Sequence, residues 1–279
     1  MTFRDLAAFR DLHHGDQPLL LPNAWDAGSA IAFAAAGFPA VGTTSFGVNA
    51  SAGRPDAGSA SRDDTVALVH RIASLDVFVT ADVEDGYSDD PEEVAAFVAA
   101  LAEEGVVGVN LEDSADGHLV DPALPAAKIA AVKREAPGVF VNARVDSYWF
   151  HQDDTVEAAA TRAAAYADAG ADGIFVPGVT DPATIERLAA AIPLPLNVLV
   201  VPGLGLDDLQ VLGVRRVSTG SLPYRVAIDA AVDAAEAVRD GRDVPVATSY
   251  AESQQRLIAF AQRADADTDR PSSAARHRG

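Results

Sequence analysis

A chain of 279 residues that is 49% hydrophobic, carries a formal net charge of −20 and contains no cysteine is long enough to bury one large core or two modest ones. Its acidity sets aside nucleic acid and anionic membranes as main partners, because a phosphate surface is bound by clustered Lys and Arg and no basic stripe occurs. Without cysteine there are no disulfides, thiolate metal sites or cysteine nucleophiles.

The first residues, MTFRDLAAFRDLHHGDQ, mix charge with apolar side chains and show neither the apolar core nor the cleavage site of a signal peptide. No apolar run approaches membrane-spanning length, and the expected compartment is the cytoplasm. Short β-branched runs then alternate with Ala-rich helical patterns. The runs are Leu19 to Trp25, Ala40 to Ser45, Val77 to Glu84, Val106 to Asp113, Val139 to Asp146, Gly173 to Pro177, Leu196 to Val201 and Arg216 to Ser221. Helix starts are marked by Ser61-Arg62-Asp63-Asp64 and by Asp90-Pro91-Glu92-Glu93, with Asp121-Pro122 and Asp181-Pro182 repeating the signal. Ala36-Gly37, Glu104-Gly105 and Ala169-Gly170 read as glycine stops that feed the chain back into a sheet.

Eight such alternations predict an α/β fold with a parallel sheet covered by helices, and favour a closed (β/α)8 TIM barrel over an open sheet. No Gly-x-Gly-x-x-Gly follows the first run, which counts against a dinucleotide site. The expected organisation is a barrel over 1–248, an extra helix over 249–264 with no strand to cover, and a disordered tail over 265–279.

Chemistry in a barrel gathers where strands run into the following loops. Polar residues at those ends are Asn23 and Asp26, Ser45, Asp82 and Glu84, Glu112 and Asp113, Arg144 and Asp146, and Ser221. In Thr80-Ala81-Asp82-Val83-Glu84-Asp85-Gly86-Tyr87, alternation places Asp82 and Glu84 on one side if the strand continues, with Asp85 assigned to a turn with Gly86. The acids at two adjacent strand ends read either as solvated termini or as oxygen ligands for a hard cation, Mg2+ first and Mn2+ as a substitute. Zinc is disfavoured because none of the six histidines has ligand spacing.

Arg144 reads either as the salt-bridge partner of Asp146 or Glu112, or as a clamp for a substrate carboxylate. The Gly-rich stretch from Phe46 to Ser61 is a candidate mobile lid. His13, His14, His70 and His151 read as surface positions, and His118 alone is kept as an acid or base. Trp25 and Trp149 read as core or pocket wall.

Five motifs in order carry a resemblance: Leu21-Pro22-Asn23-Ala24-Trp25-Asp26, Gly42-Thr43-Thr44-Ser45, Ala81 to Tyr87, Gly108 to Ser114, and Asn142-Ala143-Arg144-Val145-Asp146. Over about Leu20 to Arg225 the chain resembles the isocitrate lyase and phosphoenolpyruvate mutase superfamily. That resemblance implies a (β/α)8 barrel, Mg2+, 2-oxo acid or phosphonate substrates, and a homotetramer whose C-terminal helices swap between subunits.

Carried over by position, Asp82 touches the metal directly while Glu84 and Glu112 act largely through its waters. Ser45 and the amide of Phe46 hold the substrate carboxylate, Arg144 is the cationic partner, Trp25 lines the pocket, and Asp56 is the mobile-loop aspartate. The departures bear on the reaction. Lyase members carry a Lys-Lys-Cys-Gly-His-type segment where this chain has Ser114 to Asp121, so isocitrate or methylisocitrate cleavage by the usual cysteine-assisted route is not expected. The mutase branch has Lys after Glu-Asp and an Asn-Ser pair in this loop, where this chain has Ser114 and neither of those.

The expected function is therefore Mg2+-dependent cleavage or transfer at a C–C or C–P bond of a small 2-oxo acid through an enolate. The alternatives are phosphonomutase or phosphonopyruvate hydrolase chemistry and, from another class, a non-catalytic barrel that binds an oxo acid.

Overall fold

The structure is a computed structural model that describes residues 6–56 and 61–268. Its first strand is interrupted at Pro22, whose nitrogen has no hydrogen for the ladder, giving β1 (Leu19–Leu21) and β2 (Asn23–Ala24). Next come β3 (Ala40–Thr43), β4 (Phe78–Asp82), β5 (Val106–Glu112) and a small hairpin of β6 (Ser114–Ala115) and β7 (His118–Leu119). The remaining strands are β8 (Phe140–Arg144), β9 (Gly173–Phe175), β10 (Leu196–Leu199) and β11 (Val214–Ser218). The helices before β8 are α1 (Leu6–Asp11), α2 (Ala27–Ala35), α3 (Ser45–Ser51), α4 (Arg62–Ile72), α5 (Pro91–Glu103) and α6 (Ala123–Glu135). After β8 come α7 (Ser147–Phe150), α8 (Val156–Asp168), α9 (Pro182–Ala191), α10 (Leu206–Val211), α11 (Leu222–Asp240) and α12 (Tyr250–Thr268).

The main sheet is parallel throughout and runs β1, β11, β10, β9, β8, β5, β4, β3, β2. Its two ends are consecutive pieces of one strand. Leu21 O accepts from Thr219 N on one side, and Pro22 O accepts from Gly42 N at 2.9 Å on the other. The sheet thus closes into the expected (β/α)8 barrel. Each expected run contains a strand, but the strands stop sooner where polar residues begin: β4 ends at Asp82, and β11 spans Val214–Ser218 instead of Arg216 to Ser221.

Two of the expected helix starts are capped as read, whereas Ser61 ahead of α4 makes no side-chain cap and gives its hydroxyl to Glu84 instead. Asp90 Oδ1 accepts from Glu92 N at 2.9 Å ahead of Pro91, and Asp181 Oδ2 accepts from Thr184 N at 2.9 Å ahead of Pro182. Gly105, with φ +101, makes the expected left-handed exit into β5.

The N-terminal end of the barrel is plugged by α1. Phe9 is fully buried there, 5.5 Å from the Phe78 and Phe140 rings. His13, expected at the surface, is 2% exposed and stacks on Phe140 at 4.2 Å. Closure of the barrel creates that burial, because it brings β8 under a segment some 130 residues away in sequence.

Two further expectations change. The stretch read as a lid from Phe46 begins as α3, whose cap Thr44 and buried Val48 fix it to the barrel; residues 57–60 lie outside the described residues. The extra helix runs to Thr268, into the segment expected as a tail, and 269–279 lie outside the described residues. Among the described residues no helix is long and apolar enough to cross a membrane.

Candidate active site

At the C-terminal ends of β4, β5 and β8 the structure brings together Asp82, Glu84, Glu112, Arg144 and Asp146. Asp82 is the last residue of β4 and is 8% exposed. Its backbone N–H donates to Thr43 Oγ1 at 2.9 Å, and its Oδ2 accepts from Ser45 N at 3.1 Å. Its other oxygen, Oδ1, is buried and has no hydrogen-bond partner. An orphaned carboxylate oxygen is costly unless something positive meets it.

Glu84 reaches the site by another route than strand alternation. The strand has ended, and Glu84 takes φ +50, a left-handed conformation that a non-glycine residue adopts at a cost. The main chain supports it: Glu84 O accepts from Glu112 N at 2.8 Å, locking the β4 and β5 loops together. Its Oε1 accepts from the Ser61 hydroxyl, which also lies 2.9 Å from the Tyr87 hydroxyl. Asp85 makes the expected turn, with its Oδ1 accepting from Tyr87 N at 2.9 Å.

Arg144 ends β8 opposite Glu112, its register partner on β5. Its Nη1 donates to Glu112 Oε1, and its Nε donates to Asp146 Oδ1 at 2.6 Å. Asp146 is fully buried and takes a second donor, Ser114 Oγ, at 2.5 Å. Burial pushes the Glu112 carboxyl well above the usual range; Arg144 opposes this, while Asp146, Asp82 and Glu84 add to it. Arg144 is held cationic by Glu112 and Asp146 against its own burial. The salt-bridge reading of Arg144 is thus seen directly, and the guanidinium still faces the acid cup, 5.8 Å from the Trp149 ring and 5.9 Å from that of Phe175.

Asp113 turns away from the cup. It accepts from Asp146 N at 2.8 Å, Arg162 Nη1 at 3.0 Å and the Tyr166 hydroxyl at 2.8 Å, tying α8 to the loops that carry Arg144. Ser45 and Phe46 open α3 beside Asp82. Trp25 and Phe46 stand edge-on to Tyr224 at 5.5 and 6.0 Å and wall that side. Asp56 is exposed beyond α3. His118 lies exposed on the β6–β7 hairpin, 3.3 Å from Gln152 Nε2 and not among the acids.

Among the described residues no three His, Cys, Asp or Glu side chains form a ready-made ligand cage. The residues fit a hard cation in a looser way. One oxygen of Asp82 is free for direct contact, while Glu84 and Glu112 face the same space close enough to feel each other's charge. Mg2+ keeps several waters and asks for few direct protein oxygens.

A family profile described as phosphoenolpyruvate phosphomutase matches residues 9–239. The chain belongs to the phosphoenolpyruvate phosphomutase family. An uncharacterized protein of Mycobacterium tuberculosis (strain ATCC 25618 / H37Rv) is 51% identical over 256 residues, covering 92% of this chain and 98% of that protein. The 2-methylisocitrate lyase of Salmonella typhimurium is 30% identical over 208 residues, 68% of this chain and 69% of that enzyme. A solved phosphonopyruvate hydrolase in complex with oxalate and Mg2+ superposes with a TM-score of 0.81 at 25% identity, covering 93% of this chain and 96% of that one.

Within this phosphomutase-family site, several contributors escaped the sequence reading. Ser114 was noted as a departure, not as a donor to Asp146. Tyr224, which joins Trp25 and Phe46, carried no signal. Arg216, Asn110, Asn142 and Asn197 form a buried polar layer inside the barrel. Their signal was parity: Arg216 and Ser218 alternate with Val217, as Asn110 and Glu112 alternate with Leu111, so each pair points inward.

Proposed function

We propose that this protein is a Mg2+-dependent enzyme that cleaves or transfers a group at the C–C or C–P bond joining a substituent to C3 of a small 2-oxo acid, through an enolate. The observation that carries the reading is the buried, unpartnered Oδ1 of Asp82 in a cup closed by Glu84, Glu112 and Arg144. Family membership supports it, as does the related phosphonopyruvate hydrolase that holds oxalate and Mg2+. Mn2+ substitutes because it accepts the same oxygen donors.

Asp82 would hold the metal directly, with Glu84 and Glu112 behind its waters. The bound ion supplies Lewis-acid polarisation of the oxo group. Ser45 and the Phe46 amide bind the substrate carboxylate, and Trp25, Phe46 and Tyr224 keep water from that side. Arg144 faces the oxygen on which charge accumulates as the bond to C3 breaks, so its charge favours the enolate over the ground state. Asp146 and Ser114 fix the guanidinium in that orientation. Asp56, exposed beyond α3, is the carboxylate that approaches the reacting group.

The exposed apolar side chains on α11 and α12, Val226, Ile228, Val232, Leu257 and Ile258, support a homotetramer in which these helices pack on neighbouring subunits. Light scattering on the purified protein checks that assembly.

The test of the reaction is incubation with oxaloacetate and with phosphonopyruvate in Mg2+, following pyruvate, CO2 and phosphate. Pyruvate with CO2 identifies C–C cleavage, and pyruvate with phosphate identifies C–P hydrolysis, the reading that the phosphonopyruvate hydrolase favours. Consumption that is indifferent to EDTA would overturn the metal-dependent mechanism, and consumption of neither would favour a non-catalytic oxo-acid binder.

A further inference from the structure

Arg216 lies on β11 with its side chain inside the barrel and is 1% exposed. Its guanidinium spans the interior to β5, donating from Nη2 to Asn110 Oδ1 at 3.2 Å; Nε donates to Ser218 Oγ at 3.4 Å. Asn142 Nδ2 holds the same Asn110 oxygen at 2.9 Å. Asn110 is in turn the register partner of Asp82, so the arginine's head lies in the layer that carries the acid cup.

Among the described residues no carboxylate is in salt-bridge contact with Arg216. Burial lowers its proton affinity, to about 9, and the carboxylate that acts against this is Asp82. A buried cation with only neutral hydrogen-bond partners is expensive, and an apolar side chain of the same length would fill the space at less cost. The cost has an evident counterpart. In the mouth, Arg144 pairs with Glu112 and Asp146, Asp82 and Glu84 stand beside them, and one oxygen of Asp82 has no partner among the described residues.

We propose that Arg216 is a resident countercation, a positioning residue that balances Asp82 from inside the barrel and keeps the acid cup assembled before any metal ion arrives. Two consequences follow. The site is folded without a divalent ion, and Mg2+ must share Asp82 with a charge already present, so its affinity is lower than the acids alone would give. Only the second consequence rests on the cation-site reading above.

The test uses full-length Asp82→Asn, Arg216→Met and the double variant. In EDTA, Asp82→Asn leaves the buried guanidinium unbalanced and is expected to lower Tm by at least about 5 °C. The double variant is expected to melt above Asp82→Asn, because the unbalanced cation is gone. Mg2+ is expected to bind Arg216→Met on the order of tenfold more tightly than wild type, measured by calorimetry.

A purely structural Arg216 predicts otherwise. Asp82→Asn would then melt at or above wild type through relief of repulsion among the acids. The double variant would melt lowest or fail to fold, and Arg216→Met would bind Mg2+ no more tightly. Either melting result overturns the proposal, as does Mg2+ that binds wild type yet binds Arg216→Met no more tightly; the first requires no Arg216 variant. Melts in EDTA that behave as expected while no protein responds to Mg2+ would uphold the countercation and refute the metal site.

Discussion

The two ends of the barrel use the same strands for opposite purposes. At the N-terminal end, β4 and β8 begin with Phe78 and Phe140, which pack against Phe9 in an apolar plug. At the C-terminal end the same two strands finish in Asp82 and Arg144, held by hydrogen bonds and charge. Burial at the first end lowers free energy through area removed from water. At the second it raises the cost of every charge and makes each one sensitive to what binds. Stability and chemistry are therefore separable along a single strand, about four residues apart.

The largest effect expected from breaking that division is at the mouth. Asp82→Ala removes the oxygen proposed to hold the metal and should cut Mg2+-dependent turnover at least about a thousandfold in a steady-state assay, with the far-UV spectrum of the folded barrel unchanged. Turnover near wild type would remove Asp82 from the mechanism. At the other end, Phe9→Ala opens a cavity in the plug and should cost about 3–5 kcal/mol, a fall in Tm of roughly 6–20 °C by calorimetry. The folded fraction of that variant should keep its kcat/KM; a matching loss of activity would show that the two ends are coupled.

His13 sharpens the contrast through pH. Its imidazole is pushed down from 6.5 to about 3, chiefly by burial and then by the charge of Arg216. Above pH 6.5 it contributes nothing. Below that value the unfolded chain takes up a proton that the folded one refuses, so stability falls as pH drops towards about 3, by up to about 1.4 kcal/mol per pH unit. His13→Phe preserves the aromatic stack and removes the titration. Its Tm should fall less steeply than wild type between pH 6.5 and 4.5, whereas an identical slope would mean that His13 is not the titrating group.

The smallest effect concerns orientation. Ser114→Ala deletes one donor to buried Asp146 and should cost about 1 kcal/mol of stability. Because Asp146 positions Arg144, kcat should fall several-fold while KM changes little, and the reverse split would place Ser114 in substrate binding.

The architecture was legible because its causes are local. β-branched runs, Asp-Pro helix starts and Gly exits each lie within a few residues, and eight repetitions specify a barrel. Asp82, Glu112 and Arg144 were legible for the same reason, as charged residues that end buried runs. What escaped depends on closure. Glu84 lies past the end of β4 in a left-handed conformation, so the alternation expected to carry it beside Asp82 does not extend that far. His13 read as surface because nothing near it in sequence shows that Phe140 will lie beneath it. Arg216 read as a strand start, since Arg215-Arg216 resembles a solvated edge until β11 is seen facing β5 across the barrel.

The central claim is that the mouth is a cation and oxo-acid site built on Asp82. Thermal unfolding with Mg2+ plus oxalate, a mimic of the enolate, tests it without assuming the substrate. At concentrations near a hundred times Kd, wild type should gain about 2.7 kcal/mol, or roughly 5–11 °C, and Asp82→Ala should gain nothing. No shift in wild type, or an equal shift in both proteins, would contradict the account.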